Sequence, residues 1–281
     1  MNAHFRKTSQ LTLGFLTIDA YAAPLDVVIA SAANGYGACG LRVSGRNAGD
    51  SWPSVDNNPS AFSSIRHVAA QKGIRISSIS GFYITPQTTL AHMLENVRAA
   101  RELGVHLICQ GCFEADHNRV AALLKDYADA AGEAGIRIAI EFMPMSELKT
   151  LNQTLEMVDR AGVSNVGLLI DSLHLARSGS HAADVAALDP KTIYLTQLCD
   201  GPAKLATDST LFDEAMTGRM YLGDGRLELA DLVRALPSDA EIELETPVVA
   251  DAGLTSVERA SRAANAAQRF FSAHFGIDSY P

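Results

Sequence analysis

Short runs of aliphatic and β-branched residues recur along this chain. Each is followed by a turn and then by a longer Ala-, Leu-, Glu- and Arg-rich segment with apolar positions at helical spacing. The runs at 11–18, 40–44, 74–80, 105–110, 136–142, 166–171, 192–198 and 241–246 read as strands. Between them, segments such as TLAHMLENVRAARELG and NRVAALLKDYADAAGEAG read as helices, and SVERASRAANAAQRFFSAH reads as a closing helix. Gly104 and Gly135 fall where helix C-caps belong, each just before a strand. Eight strands alternating with helices over 281 residues predict an α/β fold, a single (β/α)8 TIM barrel with residues 1–281 as one domain.

An open doubly wound sheet is the rival, and it should carry a phosphate loop or dinucleotide turn after its first strand. Residues 17–24, TIDAYAAP, contain neither. The segment GYGACG at 35–40 matches GxGxxG, but it follows a helix and precedes a strand. A pyrophosphate site needs the opposite order, so that the glycine loop opens onto a helix N-terminus. GYGACG reads as a turn.

Composition narrows the partners. An apolar content of 47% supplies a large core, and a net charge of −9 lacks the basic face that nucleic acid requires. No apolar run approaches the roughly 18 residues of a membrane span. Arg6 and Lys7 followed by LTLGFLTI and AYAA loosely imitate a signal peptide, but Asp19 interrupts the short apolar part, and a first core strand explains it better. Cys39, Cys109, Cys112 and Cys199 do not make a disulfide framework in a chain this long. Cys109-Gln-Gly-Cys112 is a lone CxxC without a partner motif, so two reduced thiols near a strand end are expected. The expected setting is cytoplasmic and the expected partner a small molecule, with no nucleic acid and no membrane; homo-oligomer formation stays open.

Chemistry gathers at the strand ends. GLLIDSLHLARSG turns a buried run, Leu168-Leu169-Ile170, abruptly into Asp171, with His174 three residues on. A carboxylate there must be solvated, paired or bound to a cation. Strand five ends in Glu141, strand seven carries Gln197 and then Asp200, and strand eight carries Glu243 and Glu245. In a barrel these ends converge on one mouth. Several acids converging there would repel one another without a counter-charge, and a divalent cation with oxygen ligands supplies it.

The ordered set IEFMP, IDSLHLARSG, YLTQLCDGP, YLGDGRLEL and ELETP resembles the xylose isomerase-like TIM barrels over nearly the whole chain. That superfamily includes ketose 3-epimerases, inosose isomerases and dehydratases, 3-dehydroshikimate dehydratases and a metal-dependent DNA-repair endonuclease branch. The resemblance implies a metal held by Glu141, Asp171, the strand-seven position and Glu245. It also implies proton exchange with substrate carbon by Glu141 and Glu245, and contact between His174 and substrate oxygens. Strand seven usually offers histidine, and Gln197 stands there instead. Two roles remain open for it: an amide-oxygen ligand, or a partner of a metal-bound water. Glu243 and Glu245 point to the same side of strand eight. Glu245 lies nearer the rim and is the expected ligand, with Glu243 one layer down.

Arg42 at the end of strand two, Trp52 in the following loop and Arg219 before YLGDG complete the expected substrate contacts. His67, His181 and Asp224 need no role in the site. A metal flanked by two glutamates suits proton abstraction beside a carbonyl, through an enediolate. The expected activity is therefore a metal-dependent sugar isomerase or epimerase acting on a keto-polyol. A dehydratase (lyase) on an inosose- or dehydroshikimate-like substrate is the alternative, and a metal-free binding protein a further one. One divalent ion is expected, Mn2+ or Mg2+ first, with Co2+ or Zn2+ open. The endonuclease branch would need more histidines and a basic surface, and this chain has 8 histidines and an acidic excess.

Overall fold

Eight parallel strands close into a barrel in chain order in the computed structural model, which describes residues 4–45, 50, 52, 55, 58 and 60–276. The strands are β1 (Thr12–Gly14), β2 (Ala38–Leu41), β3 (Arg75–Ile84), β4 (Leu107–Cys112), β5 (Arg137–Glu141), β6 (Val166–Asp171), β7 (Ile193–Leu198) and β8 (Ile242–Leu244). The outer helices up to β6 are α1 (Phe15–Ile18), α2 (Pro24–Ala33), α3 (Ala61–Gln71), α4 (Leu90–Leu103), α5 (His117–Glu133) and α6 (Leu151–Ala161). After β6 come α7 (Ser172–Arg177), α8 (Ala182–Ala186), α9 (Leu211–Thr217), α10 (Leu229–Ala235) and α11 (Ser256–Phe275).

Local chemistry sets the helix ends. Thr89, Asp116 and Thr150 each accept a backbone N–H in the first turn of α4, α5 and α6. Gly104, at φ 73°, supplies the left-handed residue that ends α4. GYGACG runs from the turn after α2 into β2, the helix-to-strand order that its sequence implied.

The strand interiors explain the apolar runs. Leu168 and Ile170 pack in the large cluster between sheet and helices, whereas Leu169 joins Leu107, Cys109, Ala139 and Leu195 in a separate cluster. Successive residues therefore face opposite sides, and the second cluster fills the barrel interior. Two residues beyond Ala139, Leu169 and Leu195 stand Glu141, Asp171 and Gln197. The period of two carries each of them inward, one layer nearer the mouth.

Several strands differ in their bounds from the sequence expectation: β4 is shifted to Leu107–Cys112, and β8 ends at Leu244, so Glu245 lies just beyond it. The first strand ends at Gly14 and turns into α1, where the Thr17 hydroxyl donates to Leu244 O at 2.7 Å and accepts from Thr246 N at 2.9 Å, tying the turn to the exit of β8. The second ends at Leu41, so Arg42 lies just beyond it. The third runs on to Ile84, because a register shift against β4 between Ile79 and Phe82, with Gly81 at φ 89°, lets pairing continue.

Candidate active site

The acids do converge. Asp171, fully buried at the end of β6, also serves as the N-cap of α7: its Oδ1 accepts N–H bonds from Leu173 at 2.8 Å and His174 at 3.0 Å. Its Oδ2 accepts from Arg219 Nη1 at 2.5 Å. Burial pushes the Asp171 carboxyl up, but the Arg219 charge, the neighbouring His174 and these bonds outweigh it and hold the group below its ordinary value. Glu141 has no such partner. Burial, then the charges of Glu245 and Asp171, push its carboxyl well above the usual range.

His174 is buried in the first turn of α7, its Nε2 3.7 Å from Glu141 Oε1. Burial pushes the imidazole down to about 4, so it is neutral at neutral pH. A neutral ring offers one donor and one acceptor nitrogen.

On β7 and β8 the geometry separates the two glutamates. Gln197 Nε2 donates to Glu243 Oε1 at 2.7 Å and to Glu245 Oε1 at 3.1 Å. Glu245 lines the pocket and also receives Arg219 Nη2 at 3.0 Å from its Oε2. Glu243 lies deeper, within 3.4 Å of the Ser78 hydroxyl. Its space depends on two glycines: a Cβ on Gly14 would stand 2.8 Å from Glu243 Oε1, and one on Gly40 2.1 Å from Oε2. Burial, then the Glu245 charge, push the Glu243 carboxyl up to about 8.

These residues fit a divalent cation. Glu141, Asp171 and His174 each place a ligand atom within 4.8 Å of the others. The buried Gln197 Oε1 has no hydrogen-bond partner, which leaves an acceptor to be satisfied by a cation or donor. Buried Asp171, Glu243 and Glu245 and the partly buried Glu141 gather near one guanidinium, and a cation would favour the ionised forms of the carboxyls that burial pushes up. Glu141, Asp171, Gln197 and Glu245 are thus brought together, with His174 at ligand distance as well.

Arg219 reaches the site from beyond α9, buried to 3% exposure, with its Nε donating to Ala215 O at 2.8 Å. Arg42 and Trp52 lie elsewhere. The Arg42 guanidinium stacks 4.1 Å from the Trp52 ring centroid and donates to Ala20 O and Ser44 O, both at 3.0 Å, and neither residue lines the pocket. Asp200, also buried, accepts N–H bonds from Gly201, Gly223 and Leu227, so it shapes the loop after β7.

The pocket holds about 630 Å³ of space free of protein atoms, counted out to open solvent. Its polar groups include Ser80, Tyr83, Glu141, His174, Gln197, Arg219 and Glu245, while Phe15, Leu16, Phe82, Met143, Phe212 and Met216 supply apolar wall. Ser80, whose buried hydroxyl has no partner, was not legible in the sequence, although Gly81 interrupting an apolar run is a bulge signal. Phe212 and Met216, four apart on α9, are a pair that helical periodicity alone could have found.

The model of the xylose isomerase-like TIM barrel family matches residues 28–271. An inosose isomerase from Bacillus velezensis is 30% identical over 121 residues, 41% of this chain and 40% of that enzyme. A 3-dehydroshikimate dehydratase from Pseudomonas aeruginosa is 31% identical over 108 residues, 38% of this chain and 17% of that enzyme. The chain thus spans well under half the length of either relative. A crystal structure of IOLI protein with a bound zinc atom superposes with a TM-score of 0.78 at 18% identity, covering 95% of this chain and 99% of that one, which shows the shared fold. No helix among the described residues is long and apolar enough to cross a membrane.

Proposed function

The chain belongs to the xylose isomerase-like TIM barrel family, and from that premise we propose that it is a divalent-metal-dependent enzyme acting on a small polyhydroxylated ketone. The reaction is proton abstraction beside the carbonyl, giving isomerisation or epimerisation. One observation carries the reading: partly buried Glu141 and buried Glu245 line one pocket with His174 and the unpartnered Gln197 Oε1, and Asp171 completes a cation-compatible cluster with Glu141 and His174. When bound, the ion supplies Lewis-acid polarisation of the substrate carbonyl. Glu141, Asp171, Gln197 and Glu245 would hold it.

The protein's own groups do the rest. One glutamate takes the proton from carbon, and the other returns a proton to the opposite face or to the neighbouring carbon. Neutral His174 and the Ser80 hydroxyl orient substrate oxygens. Phe212 and Met216 shield the reacting carbon from water. A small-molecule partner in a cytoplasmic setting accompanies this reading; the acidic charge and four free cysteines agree with it.

The apolar walls favour a second reading, loss of a β-hydroxyl from a cyclic keto-polyol, since the product gains a flat unsaturated face. The test is a panel of ketoses, inososes and 3-dehydroshikimate with added manganese, followed by NMR in deuterated water. Deuterium entering beside the carbonyl without loss of water supports isomerase or epimerase chemistry. New vinylic signals support the dehydratase. Bound metal with neither change on any substrate would leave a binding protein and overturn both.

A further inference from the structure

We propose that Arg219 is a built-in counter-cation, which holds Asp171 and Glu245 together when no metal is bound and competes with the divalent ion for these two carboxylates. This rests on the metal-site reading above. The guanidinium is not carried by a barrel strand. It enters from the covering segment after α9, with its Nε fixed on Ala215 O at 2.8 Å. One terminal nitrogen lies 2.5 Å from Asp171 Oδ2 and the other 3.0 Å from Glu245 Oε2. The three side chains are 2%, 0% and 8% exposed, so little water screens the pairs.

The bonding of each carboxylate shows what competition means here. Asp171 Oδ1 is already taken by two backbone N–H groups, which leaves Oδ2, and Oδ2 is the atom that Arg219 holds. Glu245 Oε1 takes the Gln197 amide, and Oε2 is again the atom Arg219 holds. An ion approaching from the Glu141, His174 and Gln197 Oε1 side therefore meets both oxygens already facing a fixed positive charge. A guanidinium does not deprotonate in proteins, so this opposition persists at every working pH. It limits metal affinity and keeps the two carboxylates from repelling each other when the ion leaves.

The test uses the full chain stripped by chelator, as wild type, Arg219→Met and Arg219→Lys, at pH 8. Mn2+ affinity is measured by calorimetry, and the thermal midpoint with and without Mn2+. Arg219→Met is expected to bind Mn2+ at least about tenfold more tightly than wild type, from removal of one nearby positive charge. Its metal-free midpoint should fall, and Mn2+ should raise it by more than in wild type. Folding of this variant only with Mn2+ present would equally support the proposal. Arg219→Lys keeps the charge but cannot bridge both carboxylates, and should bind Mn2+ more tightly than wild type by a smaller factor. A merely structural arginine would weaken metal binding when removed, so equal or weaker Mn2+ binding by either folded variant overturns the proposal. Wild type that binds no Mn2+, Mg2+, Co2+ or Zn2+ overturns the metal reading itself.

Discussion

Glu243 should make the metal-free protein lose stability as pH rises, and Glu243→Gln should remove that loss. Its carboxyl is pushed up to about 8 from an ordinary 4.5, by burial first and the Glu245 charge second. The native chain therefore keeps this proton across a window in which the unfolded chain has released it. The native state binds more protons there, so this contribution to stability is complete below about pH 4.5 and is lost as pH rises toward 8. At about 1.4 kcal/mol per pH unit, the loss between pH 5 and pH 8 is on the order of 3–4 kcal/mol, a large share of a typical 5–15 kcal/mol stability. Glutamine mimics the protonated acid: it can still accept from Gln197 Nε2, and its amide can face the Ser78 hydroxyl. The assay is urea denaturation of chelator-treated wild type and variant at pH 5, 6, 7 and 8. With an m-value of about 3 kcal/mol/M, the midpoint difference should move by about 1 M in favour of the variant from pH 5 to pH 8. Glu141 is also raised, chiefly by burial and the Glu245 and Asp171 charges; Glu243 is the last of its causes, so Glu141 tilts both proteins nearly alike. Parallel curves for the two proteins would refute the assignment of a buried, proton-holding Glu243.

Glu141→Gln and Glu245→Gln should each lower turnover of the true substrate by at least about a hundredfold, as expected on removing a general acid or base, whereas Glu243→Gln should be milder. An essential Glu243 beside a dispensable Glu245 would show that the acting residue on β8 lies two positions earlier. Gln197→His should tighten zinc or cobalt relative to magnesium, because imidazole nitrogen suits the later transition ions, and circular dichroism would confirm the fold. An unchanged metal order in competition titrations would place Gln197 outside the ligand set. Ser80→Ala should raise KM with little change in kcat, since its unpartnered hydroxyl lines the pocket; a kcat loss with constant KM would give Ser80 a different role.

The barrel was legible because its strands are buried on both faces, so Leu168-Leu169-Ile170 and its counterparts stand out as continuous apolar runs. Acids that end such runs were legible for the same reason. Short-range bonding was harder to read: the turn after Gly14 depends on Thr17 meeting the exit of β8, some 229 residues away in the Thr17–Thr246 pair. Arg42 and Arg219 show the limit most plainly. Both are arginines near loop ends, yet one stacks on Trp52 and the other enters the acid cluster, and the difference arises from how long loops fold back. Sequence position carries charge, whereas its partner is set by the tertiary path.

The two glycines that make room for Glu243 also constrain the order in which this lineage can accept mutations. Any side chain at Gly40 would meet the carboxylate at 2.1 Å, so that substitution is barred while Glu243 remains. A smaller residue at position 243 would relax the barrier at Gly40, leaving the Ser78 hydroxyl at 2.8 Å, but not the one at Gly14, whose Cβ would still meet Leu244 O at 2.9 Å. The reverse path, glycines first, passes through a clash inside a packed barrel. Homologues that keep the acid should therefore keep both glycines, while those that have lost it should vary at positions 40 and 243 and still keep Gly14. Positions 40 and 243 therefore form one heritable unit with a one-way exit, and Gly14 stays fixed on either path.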